Sequence, residues 1–215
     1  MNADLAEIVA VRLQKLRRVD AACLRAIHKD VSRQVVPEPA RAVIRLATDI
    51  VERDPPGGYA MAYLLISYHP TAQTHVRARD LQQFGRRMRS WGEADVVAGL
   101  AGPAWREGQI SAALIHRWAR SRNRWWRRVA LVSTLPLNVK SHGGTGDAPR
   151  TLAVCRLLVS DRDDMVVKAM SWALRALAER EPRAVADFVT AQEDRLARRV
   201  VREVRNKLRT GRKSV

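Results

Sequence analysis

The sequence predicts an all-α fold in which stacked antiparallel helix pairs form a HEAT-like α-solenoid with a concave basic surface. Apolar residues recur at helical spacing in nearly every segment, and no strand-like alternation persists. From about residue 108 onward the predicted helix pairs repeat every ~40 residues, which is typical of HEAT-like units. A net charge of +17, from 39 Lys or Arg and 22 Asp or Glu, makes a polyanion the expected partner.

Twelve helices are expected, and prolines and glycines separate them. They lie near residues 3–18, 20–33, 38–53, 58–67, 75–88, 91–100, 108–121, 123–134, 149–159, 163–179, 183–192 and 195–209. Breaks are predicted at Pro37, Pro55 to Gly58, Pro70, Gly102-Pro103, Pro136 and Ser141 to Pro149. Asp161 or Asp163 is expected to cap the helix that follows, and Pro182 to begin the next one.

The length of 215 residues suits one domain or one short repeat array. The two cysteines, Cys23 and Cys155, are far apart and form no CxxC pair, which is typical of a protein from a reducing compartment. The longest stretch without Lys, Arg, Asp or Glu, residues 55–76, has an apolar centre too short for a membrane helix. With no signal peptide evident, we expect a soluble, cytoplasmic protein and a monomer.

The basic excess is concentrated between Arg117 and Arg128, a segment that contains no acidic residue. It holds Arg117, Arg120, Arg122, Arg124, Arg127 and Arg128, interleaved with Trp118, Trp125 and Trp126. Exposed tryptophans beside arginines would need a functional reason, and nucleic-acid binding supplies one. The basic tail from Val201 is expected to be an ordinary solvated face.

Three further positions are candidates for chemistry. Trp172 lies on the side of its helix away from the apolar stripe, between Lys168 and Arg175, so it either lines a nucleic-acid groove or packs under a second helix layer. Trp91 and Asp95 share a helix face, which suits either a catalytic carboxylate beside an aromatic ring or a helix-start acid near a core tryptophan.

Arg128 borders an apolar arc, so its guanidinium suits either bidentate phosphate contact or an ion pair with a neighbouring helix. Other catalytic patterns fail: there is no GxSxG, the five histidines form no HExxH, and the loop from Ser141 to Asp147 lacks phosphate-loop spacing. No metal site and no cofactor are predicted.

Three motifs follow one another along the chain: the W-x-x-x-D pair of Trp91 and Asp95, the segment S-x-N-x-W-x-x-R-x-A from Ser121 to Ala130, and the segment K-A-x-x-W-x-L-R from Lys168 to Arg175. In this order they resemble the DNA alkylation repair family, the AlkD-like glycosylases. The likeness covers roughly residues 57–208. We therefore expect a single helical-repeat domain over residues 1–215, with divergent helices in 1–56, AlkD-like repeats in 57–209 and a basic tail in 210–215.

This resemblance implies hydrolysis of the N-glycosidic bond of cationic alkylated purines, such as 3-methyladenine and 7-methylguanine, in duplex DNA. It implies that Asp95, Trp91 and Trp172 form the catalytic cleft and that Arg128 holds the DNA backbone beside it. Lys168, Arg124, Arg122 and Arg120 are expected to add phosphate contacts. No metal or cofactor is implied, and DNA binding would associate the protein with the bacterial nucleoid. A non-catalytic DNA- or RNA-binding helical scaffold is the alternative.

Overall fold

The computed structural model describes residues 2–213, and no strand occurs among them. Its α-helices are α1 (Asn2–Gln14), α2 (Ala21–Val35), α3 (Ala40–Glu52), α4 (Gly58–Tyr68), α5 (Ala78–Gly85), α6 (Trp91–Arg106), α7 (Ala112–Ala119), α8 (Arg124–Val132), α9 (Leu135–Asn138), α10 (Ala148–Leu157), α11 (Asp164–Ala178), α12 (Pro182–Ala191) and α13 (Arg198–Thr210). Short 3-10 turns form at Gln73–His75 and Lys140–His142. The prediction of an all-α fold is confirmed.

The chain divides into two compact units, residues 1–88 and residues 89–215. In the first unit α3 packs against α1, α4 and α5, and α2 packs against α4. In the second unit α6, α8, α11 and α13 pack in succession, while α7, α10 and α12 pack in succession beside them. The second unit thus consists of two layers of helices. No helix of the described residues has both the length and the apolar character needed to cross a bilayer.

Side-chain caps fix where the helices of the second unit begin. The Asn123 side chain accepts the Trp125 N–H at the start of α8, and the Asp163 side chain accepts the Met165 and Val166 N–H groups at the start of α11. Such caps satisfy amide groups that have no partner within the helix. Asp163 is therefore the predicted cap of α11, and Pro182 begins α12 as expected.

The predicted break at Gly102-Pro103 is wrong, because α6 continues through both residues to Arg106. A proline inside a helix costs about 3 kcal/mol, since it removes one hydrogen bond and crowds the preceding turn. Here Leu100 is buried on one side of the proline and Trp105 on the other, so apolar packing on both sides opposes that cost. Tertiary packing therefore overrides the local signal of the proline.

Gly102 allows a close approach between α6 and the segment around Pro136. A Cβ atom at Gly102 would lie 2.5 Å from Pro136 Cγ and 2.8 Å from the Ser133 carbonyl oxygen. Distances this short require the backbone to shift. Gly102 is therefore required by packing and not by its backbone conformation.

We expect Gly102→Ala to destabilise the protein by about 1–3 kcal/mol through overpacking, although alanine is the better helix former. Chemical denaturation measures the free energy of unfolding. Gly92→Ala is the matched control in the same helix, because a Cβ there would meet only Ser90 Oγ at 4.0 Å. Equal stability of the two variants would contradict the close packing at Gly102.

Candidate functional site

The first turn of α6 carries the first two candidate site residues. A capping box begins the helix: Ser90 Oγ accepts the Glu93 N–H at 3.3 Å, and the Glu93 carboxylate accepts the Ser90 N–H at 3.0 Å. This fixes the helix start immediately before Trp91, whose side chain is left exposed. Asp95 follows one turn later and shares that helix face.

Asp95 and Arg128 form a bidentate ion pair between α6 and α8. Arg128 Nε donates to Asp95 Oδ1 and Arg128 Nη2 donates to Asp95 Oδ2, both at 2.8 Å. Arg128 Nη1 donates to the Met165 carbonyl oxygen, in the first turn of α11, at 2.8 Å. One guanidinium thus joins three helices, and its planar shape fixes the direction of the carboxylate.

The pair is largely removed from solvent. Arg128 is 6% exposed, and the Asp95 side chain is 20% exposed. Burial raises the pKa of the Asp95 carboxyl above its ordinary value, while the hydrogen bonds and the charge of Arg128 act in the opposite direction. Asp95 is therefore a carboxylate in a partly dry setting with a small opening to solvent.

Trp91 extends this cluster towards solvent. The Arg128 guanidinium carbon lies 6.0 Å from the centroid of the Trp91 ring, within the range of a cation–π contact. Trp91 is nevertheless 58% exposed. Of the two interpretations of Trp91, the structure excludes a core tryptophan, because most of the ring surface faces solvent.

Trp172 lies on α11, the helix whose first turn binds Arg128. It is seven residues beyond Met165, so both occupy one helix face with an axial separation of about 10.5 Å. Trp172 is 39% exposed, whereas Met170 and Leu174 are buried. The predicted position of Trp172 away from the apolar stripe is thus confirmed, and no described helix covers it fully.

Two of the predicted DNA contacts already have partners on the protein. Lys168 Nζ lies 2.6 Å from Asp164 Oδ2, one turn earlier in α11. Arg124 Nη1 lies 3.5 Å from Asp163 Oδ2, and the Arg124 guanidinium stacks over the Trp125 ring at 4.5 Å. Both cations remain partly exposed. Because exposed ion pairs of this kind are weak, these contacts leave Lys168 and Arg124 able to bind a phosphate instead.

The other two predicted contacts, Arg120 and Arg122, are exposed. Arg120 Nη1 donates to the His116 carbonyl oxygen at 3.3 Å. Neither arginine forms an ion pair with a carboxylate among residues 2–213. Their charges are therefore available to a polyanion.

The tryptophans between Arg117 and Arg128 lie mostly inside the protein. Trp118 is 4% and Trp125 9% exposed, so both belong to the core. Trp126 is half-buried and stacks on Trp118, with ring centroids 4.8 Å apart. The rings of Trp118 and Trp126 meet where α7 packs against α8, so the arginines of this segment are not accompanied by mostly exposed tryptophans.

Two parts of the site were missed by the sequence analysis. The capping box at Ser90 and Glu93 was readable as S-x-x-E directly before Asp95. The Met165 carbonyl was not, because a backbone contact between distant helices leaves no trace in the sequence. Among the described residues, no group of three or more His, Cys, Asp or Glu is placed to hold a metal ion.

The fold and the Asp95–Arg128 pair place the chain in a class of proteins: all-helical proteins with a polar site built on neighbouring helices of one unit. Residues 10–208 match the family model described as DNA alkylation repair enzyme. The chain belongs to that family, and DNA is the substrate that the family implies. The match begins within residues 1–56, the segment expected to hold divergent helices.

A solved structure described as a predicted DNA alkylation repair enzyme from Enterococcus faecalis is similar to this chain. The TM-score is 0.70 at 14% sequence identity, over 96% of this chain and 93% of that one. At this identity the likeness concerns the fold. Among curated proteins, no sequence matches the chain.

We expect Arg128→Met to lower the free energy of unfolding by about 3 kcal/mol, because it leaves the Asp95 carboxylate buried without its partner. Arg124→Met is the matched control in α8, and loss of its exposed pair should cost less than about 1 kcal/mol. Chemical denaturation of both variants measures the difference. Equal costs would contradict the structural importance of the Asp95–Arg128 pair.

Proposed function

We propose that the protein is a DNA glycosylase that hydrolyses the N-glycosidic bond of cationic alkylated purines, of the 3-methyladenine and 7-methylguanine type, in duplex DNA. The observation that carries this proposal is the Asp95 carboxylate, held in one orientation by both of its hydrogen bonds to Arg128 beside the exposed Trp91. Membership of a DNA alkylation repair family supports it.

Hydrolysis of this N-glycosidic bond needs little acid catalysis, because the alkylated base is already a good leaving group. A purine alkylated at N3 or N7 carries a positive charge and departs readily as a neutral base. The sugar left behind has oxocarbenium character, and a nearby carboxylate stabilises that charge. Asp95 is the carboxylate we assign to this task.

Asp95 also has the means to position the attacking water. An ionised carboxylate offers about four lone-pair positions, and Arg128 occupies one on each oxygen. The remaining positions, together with the 20% exposure of the side chain, leave room for a water to donate a hydrogen bond. Arg128 therefore acts as the residue that orients the carboxylate.

Trp91 and Trp172 are assigned to contact the lesion and its sugar. An aromatic face attracts an adjacent cation by about 0.5–2 kcal/mol, and both side chains present an exposed surface. Because a cationic purine has a charge that an ordinary purine lacks, these rings would favour alkylated over normal bases.

The DNA backbone is assigned to the cations around the cleft: Lys168, Arg124, Arg122 and Arg120. Arg128 has two N–H groups beyond those that bind Asp95 and Met165, so a phosphate contact in addition to its orienting role is part of the proposal. The two helix layers of residues 89–215 support a HEAT-like repeat array. We propose that its concave face is the basic, DNA-binding one.

The alternative is a non-catalytic helical scaffold that binds DNA or RNA. The net charge of +17 and the exposed Arg120 and Arg122 favour it as much as they favour an enzyme. It gives no role to Asp95. Substitution of this carboxylate therefore separates the two functions.

We expect the wild-type protein to release 7-methylguanine from duplex DNA faster than the spontaneous rate, and Asp95→Asn to lower the single-turnover rate by about 10²–10³-fold while DNA affinity changes little. Chromatography of the released base gives the rate. Asp187→Asn, an exposed aspartate of α12, is the control and should behave as wild type. Affinity without release by the wild type, for several cationic lesions, would support the scaffold.

The raised pKa of Asp95 predicts a pH dependence. The proposed reaction needs the carboxylate, so the catalysed rate should fall as the pH drops through the Asp95 pKa, which lies above that of an ordinary aspartate. Single-turnover rates across pH, corrected for spontaneous loss at each pH, give the profile. If the pH–rate profile of Asp95→Asn fell at the same low pH as that of wild type, the fall would belong to the titration of another group.

A further inference from the structure

Helix α13 carries arginines along a single face. Arg198, Arg202, Arg205 and Arg209 are spaced four, three and four residues apart, so they fall within about 60° of one another around the helix axis. All four are exposed. We call these four residues the α13 stripe; it extends about 16.5 Å along the helix.

Most of the α13 stripe is not neutralised by the protein. Arg205 donates to both carboxylate oxygens of Glu193 through its two terminal guanidinium nitrogens, Nη1 and Nη2. Arg198, Arg202 and Arg209 form no ion pair with a carboxylate in the described part of the chain. By contrast, Arg199, on another side of the same helix, bonds to Glu203 and Asp164.

The α13 stripe is unfavourable for the helix itself. Like charges three and four residues apart repel, and Arg198 lies at the helix start, where the dipole disfavours a cation. The first turn of α13 contains no acidic residue to offset this. A solvated surface helix would gain stability from mixed charges, so the arrangement is better explained by an anionic partner.

The opposite face of α13 limits which partner fits. Val200 and Val204 are buried, and Glu203 is bonded to Ser171 of α11 at 2.6 Å. The apolar face that a membrane-surface helix inserts into lipid is therefore occupied by the protein core. A partner of the stripe has to be held by charge, as the phosphate backbone of a nucleic acid is.

We propose that the α13 stripe is a second DNA-contact site, which follows the phosphates of undamaged duplex outside the catalytic cleft. This inference rests on the proposed function in one respect, namely that DNA is the partner. The length of the stripe matches the axial rise of about five nucleotides of one strand at 3.4 Å each. Its contribution would be affinity without sequence or lesion specificity, because phosphate contacts carry no base information.

The test compares full-length proteins that have lost the same number of charges. The stripe variant combines Arg198→Gln, Arg202→Gln and Arg209→Gln. The control variant combines Arg25→Gln, Arg33→Gln and Arg183→Gln, three exposed arginines on α2 and α12. Affinity for an undamaged 20-base-pair duplex is measured from 50 to 200 mM salt, and thermal unfolding verifies that each variant is folded.

For the stripe variant we expect an affinity about tenfold or more below wild type, and a slope of log affinity against log salt that is shallower by about 2.7, or 0.9 per lost contact. The control variant should keep a slope near that of wild type. Equal slopes for the two variants would overturn the proposal. If the stripe variant fails to fold, Arg202→Gln alone replaces it, with Arg183→Gln as control and an expected slope change of about 0.9.

Two further measurements identify the partner and separate this proposal from the catalytic one. If the stripe variant lost affinity for duplex RNA or for phosphatidylserine vesicles but kept its affinity for DNA, the assignment to DNA would be overturned. Single-turnover release of 7-methylguanine at saturating protein should equal the wild-type rate. If the wild-type protein releases no base, the proposed function is contradicted. The comparison of salt slopes still tests the α13 stripe, because it measures binding and not catalysis.

Discussion

The Asp95–Arg128 ion pair is the interaction on which the site depends. A buried carboxylate is costly unless its charge is compensated, and a guanidinium is the partner that meets both oxygens at once. Because Arg128 also binds the Met165 carbonyl, the same residue that compensates Asp95 connects α8 to α11. The structural bond and the proposed chemistry therefore reside in one pair of side chains, and neither is separable from the packing of α6, α8 and α11.

The second unit divides its aromatic residues between two tasks. Trp118 and Trp125 fill the space between helices, where large rings contribute much buried area. Trp91 is mostly exposed and Trp172 partly exposed, and they lie on the helices that also supply Asp95 and Met165. An exposed tryptophan forgoes the free energy of burial, which makes these two positions better candidates for function than the buried ones.

Charge is used differently in different parts of this unit. On α8, Arg127 is held by Asp161 at 2.7 Å and Arg128 by Asp95 at 2.8 Å. Along α13 the charges of Arg198 and Arg202 are left open. Paired arginines fix geometry, whereas unpaired ones attract a polyanion over a distance set by salt. This arrangement fits the proposed functions, in which a rigidly held Asp95 acts on the lesion and the open charges of α13 contact the DNA backbone.

The helical fold, the cap at Asp163 and the outward position of Trp172 can be read from the order of the residues, because they follow from local periodicity and hydrogen bonding within a few residues. The W-x-x-x-D motif of Trp91 and Asp95 can also be recognised in the sequence, because it spans only five residues. The continuation of α6 through Pro103 and the burial of Trp118 were decided by tertiary structure. So was the ion pair of Arg128 with Asp95, because each of these features depends on which distant helix packs against the residue, and that contact has no signature in the neighbouring residues.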